Sequence, residues 1–260
     1  MSRDRLTDRR RWLGQALTGA AGLALAGCDR LAQSPQVNAT LDRAEGLTER
    51  VQRLLHGRSA LAREYPASAI SPDFRANGTT NPDSEAYQQH VAAGFRDWRL
   101  EIGGLVERPL QLSLADLRAR PARTQITRHD CVEGWSSIGK WTGAKLGPLI
   151  AEAGLKPQAR YLAFFCADTL ELTLDGTGDY YETIDLIDAF HPQTILAYEM
   201  NDQPLPVAHG APIRLRLERQ LGYKMAKYVM RIEAIESFGR LGLGKGGYWE
   251  DRGYQWYAGI

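Results

Sequence analysis

Between Trp98 and Ile235 the chain passes repeatedly through short runs rich in β-branched and aromatic residues, and this recurrence most restricts its fold. The runs are Trp98–Ile102, Thr124–His129, Tyr161–Cys166, Glu171–Leu174, Thr194–Tyr198, Ile213–Leu217 and Lys227–Ile235. Helical patterns are shorter and fewer. They fit Ser113–Arg118, where Ser113 and Asp116 have capping-box spacing, and also Leu146–Ala153 and Ile184–Phe190. Strands that outnumber helices without alternating with them regularly exclude a doubly wound sheet. The expected class is α+β, with mixed β-sheets and short helices. From Ile70 to Gly94 the chain reads as irregular, punctuated by Pro72, Gly78 and Pro82.

Length and charge narrow the function. A chain of 260 residues has material for one large domain or two small ones. With 32 Lys and Arg against 31 Asp and Glu, no overall field favours nucleic acid or an anionic membrane, so any anion site is local. Three cysteines make no disulfide framework, and neither CxxC, CxxCH haem spacing nor paired zinc spacing occurs. The glycine-rich run Gly239–Gly247 lacks Walker spacing and precedes no helical pattern, which excludes a nucleotide P-loop.

The N-terminus reads as an address. Arg9, Arg10 and Arg11 precede Trp12 and Leu13 in a twin-arginine pattern, and a small-residue apolar stretch runs to Gly27. That stretch is too short and too rich in Gly and Ala for a membrane-spanning helix. Leu25-Ala26-Gly27-Cys28 then has lipobox form, with cleavage before Cys28 and lipid on its thiol. The expected divisions are residues 1–28 as a Tat signal with lipobox, 29–69 as tether and amphipathic helix, and 70–260 as the functional domain. The helix is expected over Leu41–Tyr65, started by Asn38 or Thr40 and stopped near Pro66.

Two constellations carry chemistry. Cys131 stands inside Arg128-His129-Asp130-Cys131-Val132-Glu133-Gly134-Trp135-Ser136. A lone thiolate can bind a metal held mainly by something else, and a lone cysteine can equally be a small buried hydrophobe. Downstream, His209-Gly210-Ala211-Pro212-Ile213-Arg214-Leu215-Arg216 and Leu221-Gly222-Tyr223-Lys224-Met225-Ala226-Lys227-Tyr228 put glycines and cations at strand edges. Such edges suit a phosphate, and they also suit a solvated surface.

Taken together with Phe74-Arg75-Ala76-Asn77-Gly78, the run from Leu196 to Leu215 and the closing run Tyr248–Trp256, these segments resemble the sulfite oxidase family of molybdopterin enzymes. The resemblance covers about Ile70 to Ile260. The CVEGW form is closer to the bacterial periplasmic branch, including catalytic subunits of methionine sulfoxide reductase systems; His209 and the AYEMN run are closer to sulfite oxidases. The resemblance implies the sulfite-oxidase-type fold and a mononuclear Mo-molybdopterin cofactor. It implies that Cys131 ligates molybdenum, that Asn77, His209, Arg214 and Lys227 hold the pterin and its phosphate, and that Asp168 contacts the pterin. Tyr254 matches a tyrosine near the substrate pocket, in a C-terminal stretch that is aromatic throughout.

One departure bears on substrate. Sulfite oxidases carry an arginine immediately before the asparagine of the FRANG-type segment, and here that position is Ala76. A sulfite dianion then needs Arg75, Arg128 or Lys140 to compensate. The expectation is an exported, lipid-anchored periplasmic oxidoreductase that moves oxygen to or from a small S- or N-containing substrate. Reduction of S- or N-oxides is favoured, with sulfite oxidation as the alternative and a non-catalytic binding lipoprotein as the alternative of another class. With no haem motif in the chain, electrons are expected to pass to or from a separate haem protein, either a c-type cytochrome or a membrane protein.

Overall fold

The computed structural model describes residues 34–260. The twin arginines, Cys28 and residues 29–33 lie outside the described residues. The chain divides into two units, residues 1–52 and 53–260. In the first, the described residues are Ser34 and most of α1 (Pro35–His56), whose last turn falls in the second. The helix starts and stops earlier than its apolar pattern suggests. Pro35 supplies a pre-set φ at the first helical position. At the other end Gly57 takes φ +66°, and its N–H bonds Arg53 O at 3.0 Å, a glycine stop placed well before Pro66. Leu61–Tyr65 is therefore not helical, and Tyr65 N–H instead donates to Ile126 O at 2.9 Å. No helix among the described residues is long and apolar enough to cross a membrane.

The second unit is built on two five-stranded sheets. One has the order β2 (Leu110–Leu112), β1 (Leu100–Gly104), β10 (Val229–Ile235), β5 (Tyr161–Thr169), β6 (Asp179–Asp185), and only its β1–β10 pair is parallel. The other runs β3 (Ala122–Asp130), β4 (Ser136–Lys145), β7 (Ile195–Met200), β8 (Gln203–Pro204), with β9 (Arg214–Arg216) also on β7; every pairing in it is antiparallel. The class is α+β with mixed sheets, as expected. The main core gathers Trp98, Leu100, Ile102, Leu162, Phe164 and Ile232, and a smaller cluster holds Phe74, Trp141, Ile195 and Met200.

Short helices fill the connections: α2 (Glu85–Ala92), α3 (Leu114–Arg118), α4 (Leu146–Ala153) and α5 (Leu186–Ala189). Ser113 and Asp116 form the expected capping box. Several boundaries differ from the sequence reading for local reasons. Ile184 and Asp185 belong to β6, and the Asp185 side chain caps α5 by accepting from Asp188 N–H. Glu171–Leu174 is loop, not strand. Leu172 and Leu174 point into solvent, while Leu170 N–H bonds Gly178 O to close the β5–β6 turn. Strand β4 escapes pattern reading because its buried positions hold Ser137, Gly139, Gly143 and Ala144 beside Trp141.

Lys224 knits three distant segments together. Fully buried, its Nζ donates to Glu182 on β6, to Glu250 near the C-terminus, and to Thr183 O at 3.1 Å. Burial works against its charge, but the two carboxylates outweigh burial and raise its pKa. Burial and Glu250 push the Glu182 carboxyl up. Lys224→Met removes the only cation among the described residues in direct contact with these carboxylates and leaves them desolvated. It should cost about 3–5 kcal/mol of stability in urea unfolding, and a loss below about 1 kcal/mol would show that the cluster relaxes into water.

Candidate active site

Cys131 is placed by the β3–β4 hairpin. Along β3 the side chains of Gln125, Thr127 and His129 turn inward with period two, and Cys131 follows at the end of the strand. A tight loop closes the hairpin: Cys131 N–H donates to Trp135 O at 2.9 Å, and Gly134 N–H to Cys131 O at 3.0 Å. The thiol faces the segment carrying Asn77, whose Nδ2 lies 3.5 Å from Sγ.

The opposite wall comes from chain much further on. His209 ends a 3₁₀ turn (Val207–His209), Arg214 begins β9, and Lys227 immediately precedes Tyr228 and β10. Asp168 lies near the end of β5, and Tyr254 follows a 3₁₀ turn at Glu250–Arg252. All seven residues expected from the sequence, Asn77, Cys131, Asp168, His209, Arg214, Lys227 and Tyr254, line one open cleft of about 850 Å³, solvent in its mouth included. Cys166 does not line it, and burial pushes its thiol up. Tyr254 sits in an aromatic group, stacked on Trp249 at 5.3 Å and edge-on to Tyr223 at 5.1 Å between centroids.

The cleft floor is strongly cationic. Arg214 is buried, and its hydrogen bonds go to backbone carbonyls, His209 O at 3.2 Å and Met225 O at 3.5 Å; its Nε has no partner. Burial, then Arg216, lowers its pKa to about 9. Lys227 Nζ donates to Asn77 O at 2.7 Å and to Thr79 O, and burial followed by Arg214 brings it down to about 8. His209 is held neutral, pushed to about 4 by burial, then Arg214 and Lys227. Cations desolvated without a carboxylate in hydrogen-bond contact are costly, and an anion in the cleft relieves that cost. Asp168 is the complement. Its Oδ1 is buried without a partner, and burial raises its carboxyl to about 6 against the pull of Lys227 and Thr79. The donor set fits a phosphate-bearing pterin: cations for the phosphate, a bare acceptor for a ring N–H, and a soft thiolate for a metal.

Sequence reasoning quoted Arg216 and Gly222 within the downstream cluster but gave neither a role of its own. Arg216, two positions after Arg214, is also buried, but Glu218 grips it at 2.8 and 2.7 Å, and its Nη1 lies 3.2 Å from His129 Nδ1. Both guanidinium groups lie over Trp141, at 5.1 Å for Arg214 and 4.3 Å for Arg216. The i, i+2 spacing of Arg214 and Arg216 was the available signal. Gly222 lets chain and ring meet, since a Cβ there would lie 2.3 Å from His129 Nε2. Of the cations that could replace the missing arginine at Ala76, Arg128 pairs with Asp130 at 2.8 Å and Lys140 with Asp202 at 2.6 Å, both away from the cleft. Only Arg75 lines it.

Asp168 carries a pH signature. Between pH 3.8 and about 6 the folded chain keeps a proton that the unfolded chain has lost, so stability falls as pH rises through that window and stays lower above it. In cofactor-free protein at pH 7, Asp168→Asn should therefore be more stable than wild type by about 2–3 kcal/mol. The gain should vanish below the lower pKa in thermal unfolding, and a pH-independent difference would refute the assignment.

Proteins of known family resemble this chain along most of its length. The family described as an oxidoreductase molybdopterin binding domain matches residues 87–238. A candidate protein-methionine-sulfoxide reductase subunit, YedZ1, of Azospira oryzae is 36% identical over 254 residues, 98% of this chain and 88% of that one. The protein-methionine-sulfoxide reductase catalytic subunit MsrP of Xanthomonas axonopodis pv. citri is 30% identical over 235 residues, 88% of this chain and 70% of its own. A solved structure, the sulfane dehydrogenase SoxCD from Paracoccus pantotrophus, matches with a TM-score of 0.48 at 26% identity, over 55% of this chain and 39% of that chain.

Proposed function

Because this chain belongs to the sulfite oxidase family of molybdopterin-binding oxidoreductases, we propose that it is the catalytic subunit of an S-oxide reductase, with N-oxides as a related substrate class. The observation that carries the reading is the cleft itself. It has a thiol at its edge beside Asn77 and a floor of Arg214 and Lys227 without carboxylates in hydrogen-bond contact. The direction is supported by relatives named as methionine sulfoxide reductase subunits, matched along most of the chain. Ala76 and the outward pairing of Arg128 and Lys140 weigh against sulfite oxidation.

Net reduction of a sulfoxide consumes two electrons and two protons and releases a sulfide and water. When bound, molybdenum held by one molybdopterin supplies a two-electron centre that exchanges an oxygen atom. The chain's own residues bind and orient around that chemistry. Cys131 holds the metal through its thiolate, and Asn77 Nδ2 fixes the sulfur by donating to it. Arg214 and Lys227 hold the phosphate, His209 and Asn77 meet the pterin edge, and Asp168 accepts a ring N–H. Tyr254, at the cleft mouth, donates a hydrogen bond to the substrate oxygen. Electrons come one at a time from a separate haem protein, a c-type cytochrome or a membrane haem protein. The twin-arginine leader delivers the folded chain to the periplasm, and lipid on Cys28 anchors it to a membrane.

Cys131→Ser should remain folded and lose sulfoxide reduction by at least about a hundredfold, while Arg214→Ala and Lys227→Ala should lower pterin and molybdenum per chain in purified protein. Full cofactor occupancy in both cation variants contradicts the phosphate assignment. Replacing Arg9 and Arg10 by Lys should leave the precursor in the cytoplasm on fractionation, and continued export would refute the leader reading.

A further inference from the structure

The charges at the floor of the cleft and those at its mouth are partnered differently. Below, Arg214 and Lys227 donate to backbone carbonyls and stand ready for an anion. At the mouth, Arg75 is already opposed. Its Nη2 lies 3.9 Å from Glu133 Oε2, and the same oxygen accepts from Trp135 Nε1 at 3.1 Å. The Arg75 guanidinium also lies over the Trp135 ring, 5.5 Å from its centroid. All three side chains line the cleft. One indole thus orients both partners of the pair, through its N–H on one side and its face on the other.

We infer that Glu133, held by Trp135, is a specificity-determining residue that cancels Arg75 and makes the cleft mouth select uncharged S- and N-oxides over oxyanions. An ion pair with side chains 61% and 50% exposed adds little to stability. Its effect on a ligand is larger, because a substrate entering the cleft expels water and lowers the local dielectric. A dianion arriving there meets attraction from Arg75 and repulsion from Glu133 at similar range. A sulfoxide has no net charge, so the cancelled pair leaves its binding to hydrogen bonds and apolar contact. Since Arg75, Arg214 and Lys227 are the cleft's cationic side chains, a cofactor phosphate on the lower two leaves Arg75 as the remaining cation for an oxyanion. The inference rests on the reductase reading in this respect. It is also a discrimination built partly from repulsion, which binding contacts alone do not supply.

The test uses cofactor-loaded full-length protein and sulfate, an unreactive dianion, titrated calorimetrically into wild type, Glu133→Gln, and Glu133→Gln combined with Arg75→Ala. The amide keeps the shape and the acceptor for Trp135 and removes only the charge. Glu133→Gln should bind sulfate about tenfold more tightly than wild type, and loss of Arg75 should abolish the gain. Sulfate affinity unchanged in Glu133→Gln, sulfate binding undetectable in it, or a gain that survives Arg75→Ala each overturns the inference. None of these readings needs turnover. A loaded enzyme that fails to reduce sulfoxides refutes the reductase reading separately, and the sulfate series still judges the charge assignment.

Discussion

Two desolvated cations without carboxylates in hydrogen-bond contact, Arg214 (buried) and Lys227 (half-buried), set the terms for the rest of the cleft. A desolvated guanidinium or ammonium is tolerated only where its N–H groups find acceptors and where the surroundings are held too firmly to rearrange. The acceptors here are backbone carbonyls of His209, Met225, Asn77 and Thr79. Carbonyls satisfy hydrogen bonds but not charge, so the floor keeps its positive potential. Burial first, and then that potential, hold His209 neutral, and the potential leaves a net demand for an anion. A phosphate there would answer the demand and would make the cofactor part of the electrostatic balance of the fold.

The neighbouring Arg216 shows what the same side chain looks like when the chain supplies the anion itself. Glu218 binds it bidentately and Trp141 covers it. Arg216 then reaches His129 Nδ1, fixing the ring two residues before Cys131. One arginine is satisfied by a carboxylate and the other is open to an anion, though they stand two residues apart on one short strand. Lys224 and Lys227 repeat the division. The first is closed off by Glu182 and Glu250, while the second opens onto the cleft.

Much of this was legible beforehand. The α+β class, the capping box at Ser113, the helix Leu146–Ala153 and the grouping of Cys131 with His209, Arg214 and Lys227 follow from local patterns and from motif resemblance. What was not legible has physical causes. Strand β4 buries small residues and one tryptophan, so its hydrophobic alternation is faint. The 171–174 run alternates like a strand but lies in a turn with its leucines in water. Helix α1 ends at Gly57 because a left-handed backbone there is cheap for glycine, a stop stronger than the apolar spacing beyond it. The partners of Arg75, Arg128 and Lys140 could not be read at all, since an arginine in a sequence carries no record of which carboxylate meets it.

By itself the sequence determined which side chains were available: one thiol in the Arg128–Ser136 motif, cations beside glycines at strand edges, an alanine where relatives of the sulfite-oxidising kind carry arginine. Those are local facts, fixed by residue type and spacing. The tertiary structure alone decided which charges are cancelled and which remain open, because Coulomb interactions and desolvation depend on distance and burial between segments far apart in the chain. Lys224 meets Glu250 across 26 residues and Lys227 meets Asn77 across 150, and only the folded chain brings each pair together.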